Sequence, residues 1–176
     1  MQTSPFNSNI RVHQKTRSQV HISDLSQRGS YILILDIKEQ TQVKFRVLRE
    51  QTFCPGRYAY TGSALGIYST NLSHRLLRHL KGNKKKHWHI DHLLSHPNVR
   101  IAGIIAILSD QRLECKINQF IESNLGGAIL VSGFGSSDCS HCRSHLLLLR
   151  NDVQTRTLLT KLRVFMPTVT VIEVAF

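Results

Sequence analysis

The stretch from Tyr58 to Leu94 constrains the fold most, because its 37 residues combine patterns that fit different secondary structures. Aromatic and small residues alternate over residues 57–61, which is typical of a strand, and Gly62 is expected to end it. Leucines then recur at helical spacing and are expected to face the core, at Leu72, Leu76 and Leu80.

The predicted helix also carries a polar stripe. Arg75, Arg78 and His79 lie three or four positions apart, so their spacing predicts that they share one side of the helix. The histidine-rich segment 87–94 predicts a second short helix that ends before Pro97. Polar side chains are therefore expected at a strand end and along one helix face, an arrangement common in active sites.

Apolar and alternating runs predict the other elements. Residues 31–37 and 43–47 are expected to pair as a hairpin. Further elements are a strand over 99–108, a helix over 111–124, strands over 125–131 and 144–149, a loop over 133–142, and a final helix and strand. The polar, basic segment 1–28 shows no sustained period. We therefore expect a disordered basic leader (1–28), one domain (29–150) and a C-terminal helix-strand extension (151–176).

The charge of the chain is strongly positive and unevenly distributed. Lys and Arg total 23 against 11 Asp and Glu, so the formal net charge is +12, and residues 71–100 carry +6 of it. Such a patch attracts polyanions, and nucleic acid is the first candidate partner. We interpret four residues as contacts that position phosphates, namely Arg78, Lys84, Lys85 and Lys86. The alternative is a solvated basic surface.

The cysteines and the apolar runs indicate the compartment. Four cysteines do not form the dense framework of a secreted disulfide protein, and the N-terminus has no signal-peptide pattern. The longest apolar run, residues 101–108, is far shorter than the ~18 residues of a membrane span. We expect a soluble cytoplasmic protein with no membrane partner.

Three segments occur in a fixed order and spacing: Gly29-Ser30-Tyr31, Tyr58 to Ala64, and Leu72-Ser73-His74-Arg75. Together they resemble the GIY-YIG nuclease superfamily, with Gly-Ser-Tyr in place of Gly-Ile-Tyr and Tyr-Thr-Gly in place of Tyr-Ile-Gly. Later segments are similar to one divergent branch of it, namely HWHIDHLL (87–94), Leu113-Glu114-Cys115, and GFGSSDC (133–139) followed by Cys142. That branch is an archaeal and bacterial domain of unknown function, sometimes joined to an endonuclease III-like glycosylase.

The resemblance implies a fold and a reaction. The fold is an α/β (α+β) module in which a small, mainly antiparallel sheet is flanked by helices. The implied reaction is cleavage of a DNA phosphodiester bond with one divalent metal ion, Mg²⁺ or Mn²⁺. A DNA-repair glycosylase is the implied protein partner. The resemblance covers residues 29 to about 149, which is most of the expected ordered chain.

The resemblance also implies roles for individual residues. Matched by motif, the candidates are Tyr31 with Tyr58 or Tyr60 at the phosphate, Arg75 as its cationic clamp, His87 or His89 near a further polar catalytic position, and Glu114 as the metal ligand. Considered singly, the tyrosines are ordinary strand aromatics and the glutamate is an ordinary helix-surface residue. Their joint order and spacing favour the functional interpretation.

A second motif lies in the glycine-rich loop. Cys139 and Cys142, with His141 and His145 nearby, form half of a zinc-like pattern. The pair is either a structural clip, completed by Cys115 or a histidine from the first histidine segment, or a reduced thiol pair. A single CxxC is a weak signal, so zinc is a candidate cofactor that the sequence does not favour.

Three functional hypotheses follow. The leading one is a divergent, metal-dependent DNA endonuclease. The second is a nucleic-acid-binding module that has kept the fold without catalysis. The third is an interaction module centred on Cys139 and Cys142.

Overall fold

The computed structural model describes residues 20–176. Its strands are β1 (Val20–His21), β2 (Gly29–Ile37), β3 (Thr41–Phe45), β4 (Arg49–Phe53), β5 (Gly56–Ala64), β6 (Val99–Leu108), β7 (Leu146–Leu148) and β8 (Thr170–Ala175). Its α-helices are α1 (Leu72–Leu80), α2 (His89–Leu94), α3 (Glu114–Leu125) and α4 (Thr155–Phe165). Short 3₁₀ turns cover Ile22–Asp24 and Tyr68–Thr70.

Six of the described strands form one sheet in the order β1-β8-β6-β2-β5-β7. β2 lies between β5 and β6, and its first residue, Gly29, pairs with Ala64 on one side and Leu108 on the other. Neighbouring strands are antiparallel except for β1 and β8, which run parallel. The predicted α+β class, a mainly antiparallel sheet flanked by helices, is confirmed.

Both faces of the sheet are covered, which explains the nearly continuous apolar run of β2. Tyr31, Leu33 and Leu35 pack on the side of α1, α2 and the β3–β4 hairpin. Ile32 and Ile34 pack on the opposite side, against α3 and α4. Because side chains alternate along a strand, β2 contributes to both cores, and its ends fix where polar groups can reach solvent.

The predicted hairpin between residues 31–37 and 43–47 is wrong. β5 and β6 pair with the two edges of β2, so β2 has no free edge with which β3 could pair. β3 pairs instead with β4, through a tight turn over residues 46–48, and Arg49, the first residue of β4, has a φ of 59°. The resulting hairpin packs Phe45 and Phe53 into the core beside α2.

Other predictions need smaller corrections. The strand expected over 125–131 is reduced to a single bridge between Ala128 and Leu148. On α1, Leu80 is 36% exposed, whereas His79, predicted on the polar stripe, is buried. Leu80 lies at the edge of the buried face, and His79 falls in line with the leucines one and two turns before it.

The two ends of the described chain belong to the same sheet. β8, predicted as part of the C-terminal extension, pairs with β6, and β1 pairs with β8. Ile22 and Leu25, which belong to the segment of the predicted leader, are buried in the core of the domain. The rest of that prediction, residues 1–19, lies outside the described residues.

Among residues 20–176, none of the helices combines the length and apolar character needed to cross a membrane.

Candidate active site

A polar pocket of about 270 Å³ lies beside the C-terminal end of β5. It exists there because β7 pairs with β5 only over Tyr58–Tyr60, so the outer edge of β5 is open beyond Thr61. The N-terminus of α3 and the loop over residues 126–145 close around this opening. The residues that line the pocket are Tyr31, Tyr60, Gly62, Ser63, Arg75, Trp88, Arg112, Glu114, Gly135 and Asp138.

Tyr31 is held in place by the strand next to it. It pairs in register with Gly62, where a Cβ would overlap the Tyr31 hydroxyl, so only glycine leaves room for this ring. The hydroxyl lies 2.8 Å from Nε2 of His79. Burial raises the pKa of Tyr31 well above its ordinary value, so the phenol keeps its proton. The Tyr31 hydroxyl and the neutral imidazole of His79 therefore share one hydrogen bond, and the tautomer of His79 sets which group donates.

His79 is a site residue that the sequence interpretation missed. Burial and then the charge of Lys84 lower its pKa from 6.5 to about 3. Its Nδ1 lies 3.9 Å from a carboxylate oxygen of Asp91 and has no hydrogen-bond partner among the described residues. Tyr31, His79 and Asp91 thus form a line leading from the pocket into the core. The signal for His79 was its place at i+7 from Leu72, on the buried face of α1.

Tyr60, and not Tyr58, is the second tyrosine of the pocket. Its ring centroid is 6.5 Å from that of Tyr31, and burial, followed by the charge of Glu114, raises its pKa. Tyr58 shares its face of the strand but lies two residues further from the pocket. The Tyr58 hydroxyl donates instead to the carbonyl of Cys54, at 2.8 Å, and the ring packs against Phe53.

Arg75 supplies the half-buried guanidinium of the pocket. Its Cζ lies 4.2 Å from the centroid of the Trp88 ring, which also lines the pocket. Within residues 20–176, Arg75 forms no ion pair with a carboxylate. The aromatic contact orients the guanidinium and leaves its charge available to an anion.

Glu114 reaches the same pocket from the first turn of α3. The turn is anchored by the backbone amide of Leu113, which donates to Ser30 Oγ at 3.3 Å. Asp138, which the sequence interpretation did not include, brings a second carboxylate, 3.7 Å from Arg112. Hard divalent ions prefer carboxylate oxygens, and Glu114 forms no ion pair among the described residues. Glu114 and Asp138 therefore offer the kind of oxygen donor that Mg²⁺ or Mn²⁺ takes.

Two of the predicted phosphate contacts are used inside the protein instead. Arg78 donates to both oxygens of the buried Asp91, at 2.9 and 2.8 Å. Lys84 donates to the carbonyls of Arg78 and His79 and lies 3.6 Å from Asp91. Burial alone would raise the pKa of Asp91, but bonds from Arg78 and from the amides of His87 and Trp88 lower it to about 2.

The other predicted residues of this segment lie outside the pocket lining. Lys85 and Lys86 are exposed to solvent, as expected of phosphate contacts or of a solvated surface. His87 is exposed, and its backbone amide donates to Asp91. His89 packs edge-on against Phe45, and its Nδ1 accepts a bond from the Gly135 amide at 3.1 Å, so it supports the pocket wall.

A second cluster of side chains adjoins the pocket, because two of its residues directly follow the two carboxylates of the pocket in the sequence. Cys115 follows Glu114, Cys139 follows Asp138, and these cysteines meet Cys142 and His145. One ligand atom from each of the four residues lies within 4.8 Å of the others, and the sulfurs of Cys115 and Cys139 are 3.2 Å apart. Burial chiefly raises the pKa of Cys142, to about 12. The thiol pair of the sequence is thus half of a four-residue set.

The fold and the pocket define an α+β domain with tyrosine, arginine and carboxylate side chains gathered at the end of a central strand. A family model described as Domain of unknown function DUF123 matches residues 30–166, and the chain belongs to this family. Comparisons with curated proteins and with solved structures gave no match.

Proposed function

We propose that the chain is a divergent GIY-YIG-type endonuclease that hydrolyses DNA phosphodiester bonds with one divalent metal ion. The observation that supports this most is the convergence of Tyr31, Tyr60, Arg75 and Glu114 on one pocket. These residues come from β2, β5, α1 and α3, which are far apart in the sequence. Hydrolysis of a phosphodiester requires neutralisation of charge on the phosphoryl oxygens and an activated water, and a cation, phenols and a metal-binding carboxylate can together supply both.

Each group has a task that follows from its surroundings. The uncompensated guanidinium of Arg75 binds a phosphoryl group through two parallel hydrogen bonds. Tyr60 keeps its proton and donates a hydrogen bond to a substrate oxygen. Glu114, with Asp138 beside it, would hold Mg²⁺ or Mn²⁺. When bound, the metal ion supplies positive charge for the negative charge that develops on phosphorus-bound oxygen.

Tyr31 and His79 provide a route for a proton. In this route the proton of neutral His79 is on Nδ1, towards Asp91, so the Tyr31 hydroxyl donates to Nε2 and its oxygen is free to accept a hydrogen bond from the attacking water. As the water loses its proton to Tyr31, the phenolic proton moves to Nε2 of His79. His79 is a weak base in the free protein, with a pKa of about 3. An anionic phosphate nearby raises that pKa, so proton uptake becomes easier once substrate is bound.

A cleavage assay tests the proposal. Wild-type protein is incubated with single-stranded, duplex and branched DNA in Mg²⁺ or Mn²⁺, and we expect cleavage of at least one of them. Arg75→Ala and Glu114→Gln should each lower the rate by about 100- to 1,000-fold. Two positions outside the pocket lining serve as matched controls, the exposed Arg156→Ala on α4 and the half-buried Glu122→Gln on α3, and should retain the wild-type rate.

The outcome also separates the nuclease from a binding module. A folded wild-type protein that cuts none of these DNAs in either metal contradicts the proposal. If such a protein binds DNA with a steep salt dependence, and Glu114→Gln binds equally well without metal, the non-catalytic module is favoured. Exposed Lys85 and Lys86 support DNA binding in either case, and their removal should reduce the salt slope by about one for each lost phosphate contact.

A further inference from the structure

The cluster of Cys115, Cys139, Cys142 and His145 has the composition of a structural metal site. It combines three sulfurs and one imidazole with no carboxylate, which is the donor set that zinc takes in closed tetrahedral sites. We propose that these four residues bind one Zn²⁺ ion. This site is distinct from the Mg²⁺ or Mn²⁺ site proposed at Glu114, and it stands whether or not the pocket cleaves DNA.

The distances suit a tetrahedral ion. Ligands that are each about 2.3 Å from zinc are about 3.8 Å from one another. The four ligand atoms already lie within 4.8 Å, and the Cys115 and Cys139 sulfurs, at 3.2 Å, need to separate by only a fraction of an ångström. A disulfide requires about 2.0 Å, and all three cysteines of the cluster are free thiols.

His145 gives an independent reason to expect a ligand. Its ring is buried, and Nε2 has no hydrogen-bond partner among the described residues, an arrangement that is costly unless another group satisfies the nitrogen. The backbone of His145 is fixed on both sides, because its amide donates to Phe134 at 2.8 Å and its carbonyl accepts from Thr61 at 2.9 Å. The imidazole is therefore held in place before a metal ion arrives.

The start of the CxxC loop is fixed by a backbone turn, because the amide of Cys139 donates to the carbonyl of Ser136 at 3.1 Å. His141 lies inside the motif but is exposed and does not belong to the cluster.

The position of the cluster indicates what the ion would do. The 126–145 loop contains no strand or helix within the described residues, apart from the bridge at Ala128. Zinc would tie this loop to the first turn of α3 by joining Cys139 and Cys142 to Cys115. Glu114 and Asp138, the two carboxylates of the pocket, each precede one of the ligands. The ion would thus fix one wall of the pocket.

The metal content of the untagged full-length protein, purified under reducing conditions without chelators, tests the proposal. We expect about one zinc per chain by mass spectrometry, and X-ray absorption should show three sulfurs at about 2.3 Å and one nitrogen at about 2.0 Å. Cys142→Ser and His145→Asn should lose most of the metal. The matched controls, Cys54→Ser and His141→Asn, should keep it, because these residues lie outside the cluster. Removing zinc from the wild type should lower Tm by about 5–10 °C.

If the variants fail to fold, the proposal can still be tested by adding cobalt to metal-free wild-type protein. Tetrahedral thiolate ligation gives Co²⁺ intense visible bands and a sulfur charge-transfer band, and stoichiometric Zn²⁺ should abolish both. Wild-type protein that holds neither ion at stoichiometry overturns the proposal. So does stoichiometric iron in place of zinc, or a Cys115–Cys139 disulfide as the only state of the fresh protein. If the wild-type protein holds zinc but cleaves no DNA, the proposed function is refuted and the zinc proposal stands.

Discussion

His79 should make the stability of the fold depend on pH. Its pKa is 6.5 in the unfolded chain and about 3 in the folded protein, so the unfolded state binds more protons below about pH 6.5. Stability is therefore full at neutral pH and is lost progressively as the pH falls towards the folded pKa. Each pH unit in this window costs about 1.4 kcal/mol, which gives a loss of about 2 kcal/mol between pH 7 and pH 5.

The groups around His79 keep its imidazole neutral in the folded protein. Lys84, Arg75 and Arg78 disfavour the imidazolium, as does burial, whereas Asp91 favours it and is outweighed. Tyr31, the remaining polar neighbour, keeps its proton throughout this range. The prediction is therefore specific to a neutral buried imidazole that shares a hydrogen bond with Tyr31.

Urea unfolding of the wild type, His79→Gln and His87→Gln at about pH 7 and pH 5 measures the effect. His79→Gln should lose about 2 kcal/mol less than the wild type on acidification, because glutamine can keep the bond to Tyr31 but does not titrate. His87→Gln removes an exposed imidazole and should behave like the wild type. His89 and His145 also have lowered pKa values, but they are present in all three proteins and cancel. Equal losses in the wild type and His79→Gln would refute the reasoning.

Three further results are expected. Arg78→Ala leaves the buried carboxylate of Asp91 without its bidentate partner and should lower the free energy of unfolding by about 3–5 kcal/mol in denaturant titrations, whereas Lys85→Ala should change it by less than about 0.5 kcal/mol. Gly62→Ala places a methyl group on the Tyr31 hydroxyl and should lower the cleavage rate about 100-fold, and a wild-type rate would contradict the role of Tyr31. Zinc-depleted protein should cleave DNA more slowly in saturating Mg²⁺, and stoichiometric zinc should restore the rate.

The types of most elements followed from local patterns, but the pairing of the strands did not. The alternation over 57–61 and the apolar run over 99–108 both mark strands that the structure contains. The hairpin prediction failed because neighbours in sequence were assumed to be neighbours in the sheet. β2 is instead flanked by β5 and β6, and that choice depends on contacts between residues dozens of positions apart.

Only part of the site could be predicted, because some of its contacts also join residues that are far apart in the sequence. Tyr31, Tyr60, Arg75 and Glu114 could be proposed from motifs, and all four line the pocket. The alternation of side chains along a strand could not separate Tyr58 from Tyr60, because both lie on one face of β5. Only their distance from the end of the strand distinguishes them. The sequence also did not show that Arg78 and Lys84 pair with Asp91, because Asp91 lies on a separate helix, α2.

The cysteine cluster shows the limit of spacing as a guide. Cys139 and Cys142 are visible as a motif, but Cys115 lies 24 positions from Cys139 on a different element, so the sequence could name it only as one of several possible partners. A local search finds half of the ligand set, which by itself does not favour zinc. The long-range packing of α3 against the loop is what completes the set.

The buried carboxylate of Asp91 determines which cations of the basic segment keep an uncompensated charge. α1 presents two arginines to Trp88, each 4.2 Å from its ring centroid. Asp91 neutralises Arg78 and holds Lys84, and it is satisfied by four short hydrogen bonds from Arg78, His87 and Trp88. Arg75 has no such partner among the described residues, so its charge remains uncompensated in the pocket. Under the proposed function, a phosphate that enters the pocket is therefore drawn to Arg75, beside Tyr31 and Tyr60, and not to the basic segment at large.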